Sequence, residues 1–451
     1  MRGLRAGWLP HDLIAGLLLT AIAVPEQLAT ARLAGLPPET GLIAFIAGSL
    51  AFAIFGANRF LSAGADSTIA PIFAGGLAVI ATTGTVEYAH LAALLALMVG
   101  TILIVAALLR AGWIADLLSI PVTTGFLAGV ATHIVVGQLP ALLGVPGASG
   151  TLAFRFLAVL AEAAAANPYA LAIGLVAIGA TLLTERLAPH VPGALIAILA
   201  SAAAVAAFHL QGAGVAMLAP LPPGLPHPSR AALTGTQDIV RLAPLAGIVA
   251  LVCIMQTATV VRAFAGDGGE LAPVSPNFAG IGVGCLFSGL FGAFAVNASP
   301  PRTAAVVEAG GRSQVTSLIA VGCIMVLVVW GGALIGAVPQ AALAGVLIAI
   351  AVRIFRFREM ARILRRGGWE ILLVLTTGAL VVALPIETGM LCSIVLSLLQ
   401  SFYAVARPLC AELARAPGST VWWPPTPGES GEHEPGILVF APAAPLNSPT
   451  R

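Results

Sequence analysis

Lysine is missing altogether: all 21 basic side chains among the 451 residues are arginine, which reads as genomic base bias rather than mechanism. Charge of either sign is scarce. Charged residues make up 9% of the chain, where a soluble domain carries roughly 25%, and this excludes an ordinary soluble fold. The net charge is only +2, and no basic stripe carries interleaved aromatics, so nucleic acid is not an expected partner. The five cysteines (Cys253, Cys285, Cys323, Cys392, Cys410) are scattered, and all but Cys410 fall in apolar runs. They read as packing residues rather than disulfides or metal ligands. Metal-ligand spacing, a nucleophile–base pattern and a phosphate-cradling loop are also missing, so no metal, cofactor or enzymatic activity is expected.

Apolar runs are what the chain does contain. Hydrophobic residues make up 59% of it, and runs long enough to cross a bilayer, roughly 20 residues each, recur from Leu13 to Ala406. They are continuous rather than alternating, which selects helices over a barrel. Fourteen segments are predicted, at about 13–31, 41–57, 67–82, 90–109, 119–138, 168–185, 191–209, 242–264, 277–296, 301–309, 314–335, 339–355, 369–385 and 388–406. The third and tenth are short or weak. The first run lacks a small-residue cleavage site and many others follow it, so it is not a signal peptide.

Arginine placement supports this count. With the N-terminus inside, fifteen arginines fall on inner loops and the tail, including the cluster Arg353–Arg366. Four (Arg32, Arg155, Arg230, Arg241) fall outside. Both termini are then cytoplasmic. The proline-rich stretch Gln211–Asp238 divides the segments seven and seven, and an odd number per half gives the halves opposite topology. Ala15-Gly16 and Ala246-Gly247, Glu26 and Gln256, and Arg32 and Arg262 echo one another across the halves. The expected class is therefore an all-α polytopic membrane protein with a 7+7 inverted repeat. Residues 411–435 are polar and proline-rich, and Gly436–Leu446 reads as a single buried strand, expected to begin a further domain.

Polar residues inside these segments mark function. Glu26 follows Pro25 in mid-span, and a carboxyl withdrawn from water favours its neutral form, so it can carry a proton; a salt bridge to Arg32 or Arg302 is the structural alternative. LSAGADSTIAP (61–71) and VNASPPRTAAV (296–306) each open a short apolar helix with polar and helix-starting residues. Paired half-helices of this kind meet at substrate sites, because their N-termini attract anions. Asp66, with Ser67 and Thr68, is either an N-cap or a coupling carboxylate that must be neutralised before an anion approaches. Pro300 and Pro301 suit a first helical turn, and Asn297 or Ser299 a cap. Arg302 and Thr303 would form a positive pocket, or Arg302 a counter-ion. Gln256, Thr257 and Thr259 supply hydrogen bonds from the eighth segment. His133 reads as a satisfied interior histidine.

DLIAG (12–16), VPEQLATARLAGLPPETGL (24–42), FGANRFLSAGADS (55–67) and FSGLFGAFAVNASPPRTAAVVEAGGRSQ (287–314) together resemble the SulP/solute carrier 26 anion transporter family. Four motifs in register over nearly the whole chain carry the resemblance. It implies a transmembrane domain over 1–406, with a mobile core (about 12–110 and 241–335) and a gate (about 119–210 and 339–406). It implies an elevator-like motion, an anion bound between the heads of the third and tenth segments, and a homodimer. A cytoplasmic STAS domain usually follows, so 407–451 would be a linker and that domain's first strand. The implied site comprises Glu26, Gln27, Ala65, Asp66, Ser67, Gln256, Ser299, Arg302 and Thr303. The family's Gly-Pro is Gly64-Ala65 here, the serine before its arginine is Pro301, and the acid often found on the eighth segment is Gln256. The last departure disfavours sodium and leaves the proton, at Glu26 or Asp66, as the coupling ion.

The expected function is thus secondary active transport of a small inorganic anion or dicarboxylate in a bacterial plasma membrane. A nucleobase–cation symporter of the same fold and an uncoupled anion exchanger or channel are the alternatives.

Overall fold

Each expected segment up to the thirteenth coincides with a helix. The computed structural model describes residues 6–112, 120–148, 150–187, 191–218, 236–264, 274–355, 357–366, 369–384 and short stretches between 388 and 442. The fourteenth segment and most of the connector 211–238 lie largely outside the described residues. In order, the helices are α1 (Leu9–Leu33), α2 (Pro38–Phe55), α3 (Ala70–Ile80), α4 (Val86–Leu108), α5 (Ile120–Leu143), α6 (Leu152–Glu162), α7 (Pro168–Leu187) and α8 (Gly193–Ala207). The second half holds α9 (Thr236–Ala263), α10 (Ser275–Leu290), α11 (Pro300–Glu308), α12 (Val315–Trp330), α13 (Gly332–Gly336), α14 (Gln340–Ile354), α15 (Phe357–Arg366) and α16 (Trp369–Ala383).

Local chemistry sets the ends. Proline opens α2 and α11, where the missing N–H costs nothing. The Thr85 hydroxyl caps α4 by accepting from Tyr88 N at 3.2 Å. Gly35 (φ 71°) follows α1 and Gly310 (φ 77°) follows α11, a backbone region that glycine enters without strain. Six helices, among them α1, α2, α4, α5 and α9, are long and apolar enough to cross a membrane. Their outer faces stay apolar: Ile14 and Leu17 on α1, and Ile102 and Val105 on α4, are exposed. A contiguous apolar exterior of this extent suits lipid, not water.

Two helices have no counterpart among the expected segments. Both are short and amphipathic: α6 exposes Phe154 and Leu157, and α15 carries arginines beside the buried Ile363. Predicted segment 314–335 is broken at Gly331 into α12 and α13.

The helices form two packing groups. One contains α1, α2, α4, α9, α10 and α12; the other contains α5, α7, α14 and α16, with α8 against α7. His133 on α5 hydrogen-bonds Val381 O of α16 at 2.9 Å and is satisfied in the interior, as expected. At the start of α1, Asp12 accepts from Arg312 N, Ser313 N, Ser313 Oγ and Thr316 Oγ1, tying α1 to the head of α12.

The C-terminal strand is present in shortened form, but it is not alone. β3 (Cys410–Arg415) pairs antiparallel with β4 (Trp422–Trp423) on one side and with β5 (Val439–Pro442) on the other. The stretch read as linker therefore supplies two strands. Its polar, proline-rich composition hid them, since a strand of two residues leaves almost no alternation to detect.

Candidate functional site

Two irregular stretches approach each other inside the first packing group. β1 (Ala63–Gly64) and β2 (Asn297–Ala298) pair antiparallel, with Ala63 opposite Ala298 and Gly64 opposite Asn297. Non-helical backbone at this depth must have its polar groups satisfied by protein. Side chains of neighbouring helices do this. Ser49 Oγ donates to Ala63 O (2.7 Å), Ser288 Oγ to Phe294 O (2.5 Å), and Val296 N donates to Cys285 Sγ (3.3 Å). Asn277 Oδ1 accepts from Ala57 N and Asn58 N, and Gln314 Nε2 donates to Asn58 O and Leu61 O. Glycine lets the layers approach: a Cβ on Gly48 would sit 3.2 Å from Gly64 N.

On this platform the polar residues of α1 face the two heads. Gln27 holds Ala65 on both sides, accepting from Ala65 N (2.8 Å) and donating to Ala65 O (3.0 Å). Arg302 Nη1 reaches Glu26 Oε1 at 2.9 Å and Ala65 O at 3.0 Å, with its guanidinium 5.8 Å from the Phe45 ring centroid. Arg302 is wholly buried. Thr303 Oγ1 accepts from Ser62 N and donates to Ser299 O, joining the heads a second time.

Asp66 and Gln256 form the other half of the site. Asp66 Oδ1 accepts from Thr68 N (2.9 Å) and is hydrogen-bonded to Thr68 Oγ1. Gln256 Nε2 donates to Asp66 Oδ2 (3.1 Å) and Ala298 O (3.0 Å), and Thr68 Oγ1 donates to Gln256 Oε1 (2.7 Å). Gln256 on α9 thus bridges both heads.

A cavity of about 470 Å3 opens here between the two packing groups. Glu26, Asp66, Ser67, Thr68, Gln256, Pro300 and Pro301 line one wall, and Phe126 of α5 with Ile350 and Arg353 of α14 line the other. A second cavity, of about 270 Å3, shares Glu26, Pro301, Ala304, Ile350 and Arg353. The first is large enough for a small ligand.

The expected residues are brought together, with changes of role. Arg302 is the counter-ion of Glu26 and lines neither cavity, while its Nε and Nη2 have no hydrogen-bond partner among the described residues. The arginine on the cavity wall is Arg353, which composition placed in a cytoplasmic cluster; it sits in the last turn of α14, a helix whose packing face no local pattern reveals. Helix α3 starts at Ala70, not at residue 67, because residues 67–69 form a turn closed by the Asp66 carboxyl. Asp66 is thus both cap-like and cavity-lining. Ser299 occupies the N-cap position of α11, but its hydroxyl does not cap the helix. Of the polar trio on α9, Gln256 alone reaches the heads; Thr259 lines the cavity and bonds back to Met255 O, while Thr257 Oγ1 has no hydrogen-bond partner among the described residues.

Known proteins are similar to this chain in sequence and in fold. The family model described as the Sulfate permease family matches residues 9–377. A probable sulfate transporter of Mycobacterium tuberculosis is 34% identical over 441 residues, covering 97% of this chain and 78% of that protein. The chloroplastic sulfate transporter 4.1 of Arabidopsis thaliana is 26% identical, covering 91% and 61%. Among solved structures, the inward-facing murine solute carrier 26 member A9 anion transporter superposes with a TM-score of 0.82 at 18% identity, covering 97% of this chain and 75% of that one. The transmembrane domain of a cyanobacterial bicarbonate transporter, BicA, gives 0.72 at 20% identity, covering 90% and 99%. At these identities the structures establish the fold.

Proposed function

The chain belongs to the sulfate permease family of membrane anion transporters, and from that membership we propose that it moves a small anion together with a proton by alternating access. The observation that carries the proposal is the cavity at the heads of α3 and α11, walled by two carboxyls. Helix N-termini bring partial positive charge to such a site without a counter-anion of their own. Arg353 adds a full charge from the opposite wall. The carboxyls would repel an anion unless one is neutralised, and a proton is the simplest neutraliser. Gln256 contributes no charge for sodium.

The first packing group would be the moving core and the second the gate, sliding past each other in an elevator motion. The core would carry Glu26, Gln27, Ala65, Asp66, Ser67, Gln256, Ser299, Arg302 and Thr303 together, which is what such a motion needs. The transporter would work as a homodimer in the bacterial plasma membrane with both termini cytoplasmic. Sulfate, named for the relatives, is the first substrate to test, followed by bicarbonate and fumarate.

Purified protein in liposomes tests the proposal. Sulfate uptake should accumulate against its gradient when the outside is made acidic, because the proton then moves inward with the anion. Accumulation without any pH difference, currents that reverse at the anion's Nernst potential, or competition by uracil instead of anions would each reject it.

A further inference from the structure

The smaller cavity follows one face of one helix. On α11 it is lined by Pro301, Ala304, Ala305 and Glu308, a spacing that makes a single stripe on an α-helix. At 1.5 Å per residue the stripe runs about 10 Å, from the head of α11 to its last turn. Glu26 of α1 stands at the head end and Glu308 at the other. Alanine at 304 and 305 keeps the face between them open. Val346, Ile350 and Arg353 form the facing stripe on α14.

The two cavities meet at Glu26 and Arg353 but offer different chemistry. Asp66, Ser67, Thr68 and Gln256 line the larger one alone. The start of α8 lines only the smaller, and it has little to give an anion: Pro192 lacks an N–H, and Gly193 N is bonded to Val191 O at 2.8 Å. Carboxylates at both ends of the stripe oppose the passage of an anion. Glu308 is also badly placed as a structural residue. It is exposed at the C-terminal end of α11, where the helix dipole disfavours negative charge, and no ion pair engages it among the described residues.

At the buried end, Glu26 has one oxygen committed and one open. Arg302 Nη1 holds Oε1 at 2.9 Å, no hydrogen bond reaches Oε2 among the described residues, and the side chain keeps 11% of its surface exposed. Asp66 and Arg353 act on Glu26 from longer range. The ionisable groups on the wall of the smaller cavity are Glu26, Glu308 and Arg353, and α7 and α8 add none. Past the end of α11 come Arg312 and His11 of α1, with His11 Cδ2 3.9 Å from the Cβ position of Gly310, while Asp12 is bonded to the head of α12. On the side of α9, the uncharged Gln256 reaches Ala298 O just before α11.

We propose that the smaller cavity is a separate path for the proton, with Glu308 collecting protons at its mouth and Glu26 receiving them at its buried end, while the anion uses the larger cavity. The Glu308 carboxyl gives its proton to cavity water, that water gives one to Glu26 Oε2, and Glu308 is protonated again from the bulk. Oε1 stays the acceptor of Arg302. A neutral Glu26 leaves the Arg302 charge unbalanced beside the heads, which favours an anion there. The path rests on the proton-coupled function proposed above, to which it adds Glu308 and a route apart from the anion's. Chains of carboxyls of this kind are how membrane transporters move protons.

Full-length protein in liposomes tests it, with sulfate as the anion. In weak buffer, Glu308→Gln should slow sulfate uptake driven by a pH difference several-fold, and Glu308→Asp should restore most of the rate. Imidazole, a small mobile proton carrier, should recover the Glu308→Gln rate and leave the wild type little changed. The melting temperature and the stabilisation given by sulfate should match the wild type, because the anion's cavity is untouched. Wild-type uptake by Glu308→Gln in weak buffer overturns the path. So does a slowed rate that imidazole does not recover, since that marks a structural role. If the wild type itself accumulates no sulfate on a pH difference, the coupled function falls; if it does and Glu308→Gln equals it, coupling stands and the path alone falls.

Discussion

Arg302 and Glu26 form an ion pair with 2.9 Å between Nη1 and Oε1, joining α11 to α1 across 276 positions of sequence. Each half of the repeat contributes one partner. The pair holds the broken helix of one half against the continuous helix of the other.

A buried pair of this kind is exposed by breaking it one side at a time. Arg302→Ala leaves a carboxylate without its cation, at a cost of ~3–5 kcal/mol. Melting temperatures of Arg302→Ala, Glu26→Gln and the double variant should form a non-additive cycle, with the double variant nearer the wild type than the sum. Strict additivity would mean that the two side chains do not interact.

The Asp12 carboxylate receives four hydrogen bonds from the head of α12. Asp12→Ala strands buried donors, each worth ~1–3 kcal/mol. The yield of monodisperse protein in detergent should fall, while Asp12→Asn, which keeps the acceptor oxygen, should recover part of it. An unaltered Asp12→Ala melting curve would remove Asp12 from the scaffold.

At the far end of α1, Arg32 Nη2 donates to Gln340 Oε1 at 2.6 Å, and Gln340 also bonds Met217 O and accepts nothing else from the core among the described residues. This contact spans the two packing groups and should hold that end of the site shut. In a background without native cysteines, Gln340→Ala should raise several-fold the alkylation of Ala304→Cys by an impermeant reagent added from the Arg32 side. Equal rates would show that the contact does not limit access.

Gly64 sits where no side chain fits. A Cβ there would lie 2.9 Å from Phe45 Cδ2 and 3.3 Å from Arg302 Nη2. Gly64→Ala should push β1 from the guanidinium and overpack the site by ~1–3 kcal/mol. Sulfate-dependent thermal stabilisation should fall more than the basal melting temperature; a variant that binds sulfate like the wild type would show that the heads tolerate displacement.

Most of the transmembrane architecture was legible because a bilayer leaves a chain so few options. Spans must be apolar, long and internally hydrogen-bonded, so hydropathy located the apolar helices but not the short amphipathic α6 and α15, and glycine, proline and hydroxyl residues marked the broken helices. Residues whose role depends on a neighbour were less legible. Arg302 offered two readings, anion ligand and counter-ion, and the carboxyl it pairs with, Glu26, lies 276 positions away. Arg353 read as part of a loop cluster with Arg356 and Arg358, and only the packing of α14 brings it to the cavity wall. The sheet at the C-terminus escaped because its strands are short and far apart.

By itself the sequence determined the membrane class, the order of helices, the two half-helix heads and the residues that gather there, since each follows from composition and local backbone chemistry. Tertiary structure alone decided which carboxyl meets Arg302 and which meets Gln256. That choice is made by the antiparallel pairing of Ala63 with Ala298 and Gly64 with Asn297, which sets the heads at one register and leaves Asp66 facing Thr68 and Gln256. Polar partners inside a membrane are chosen by distance and desolvation, and distance is a property of the fold.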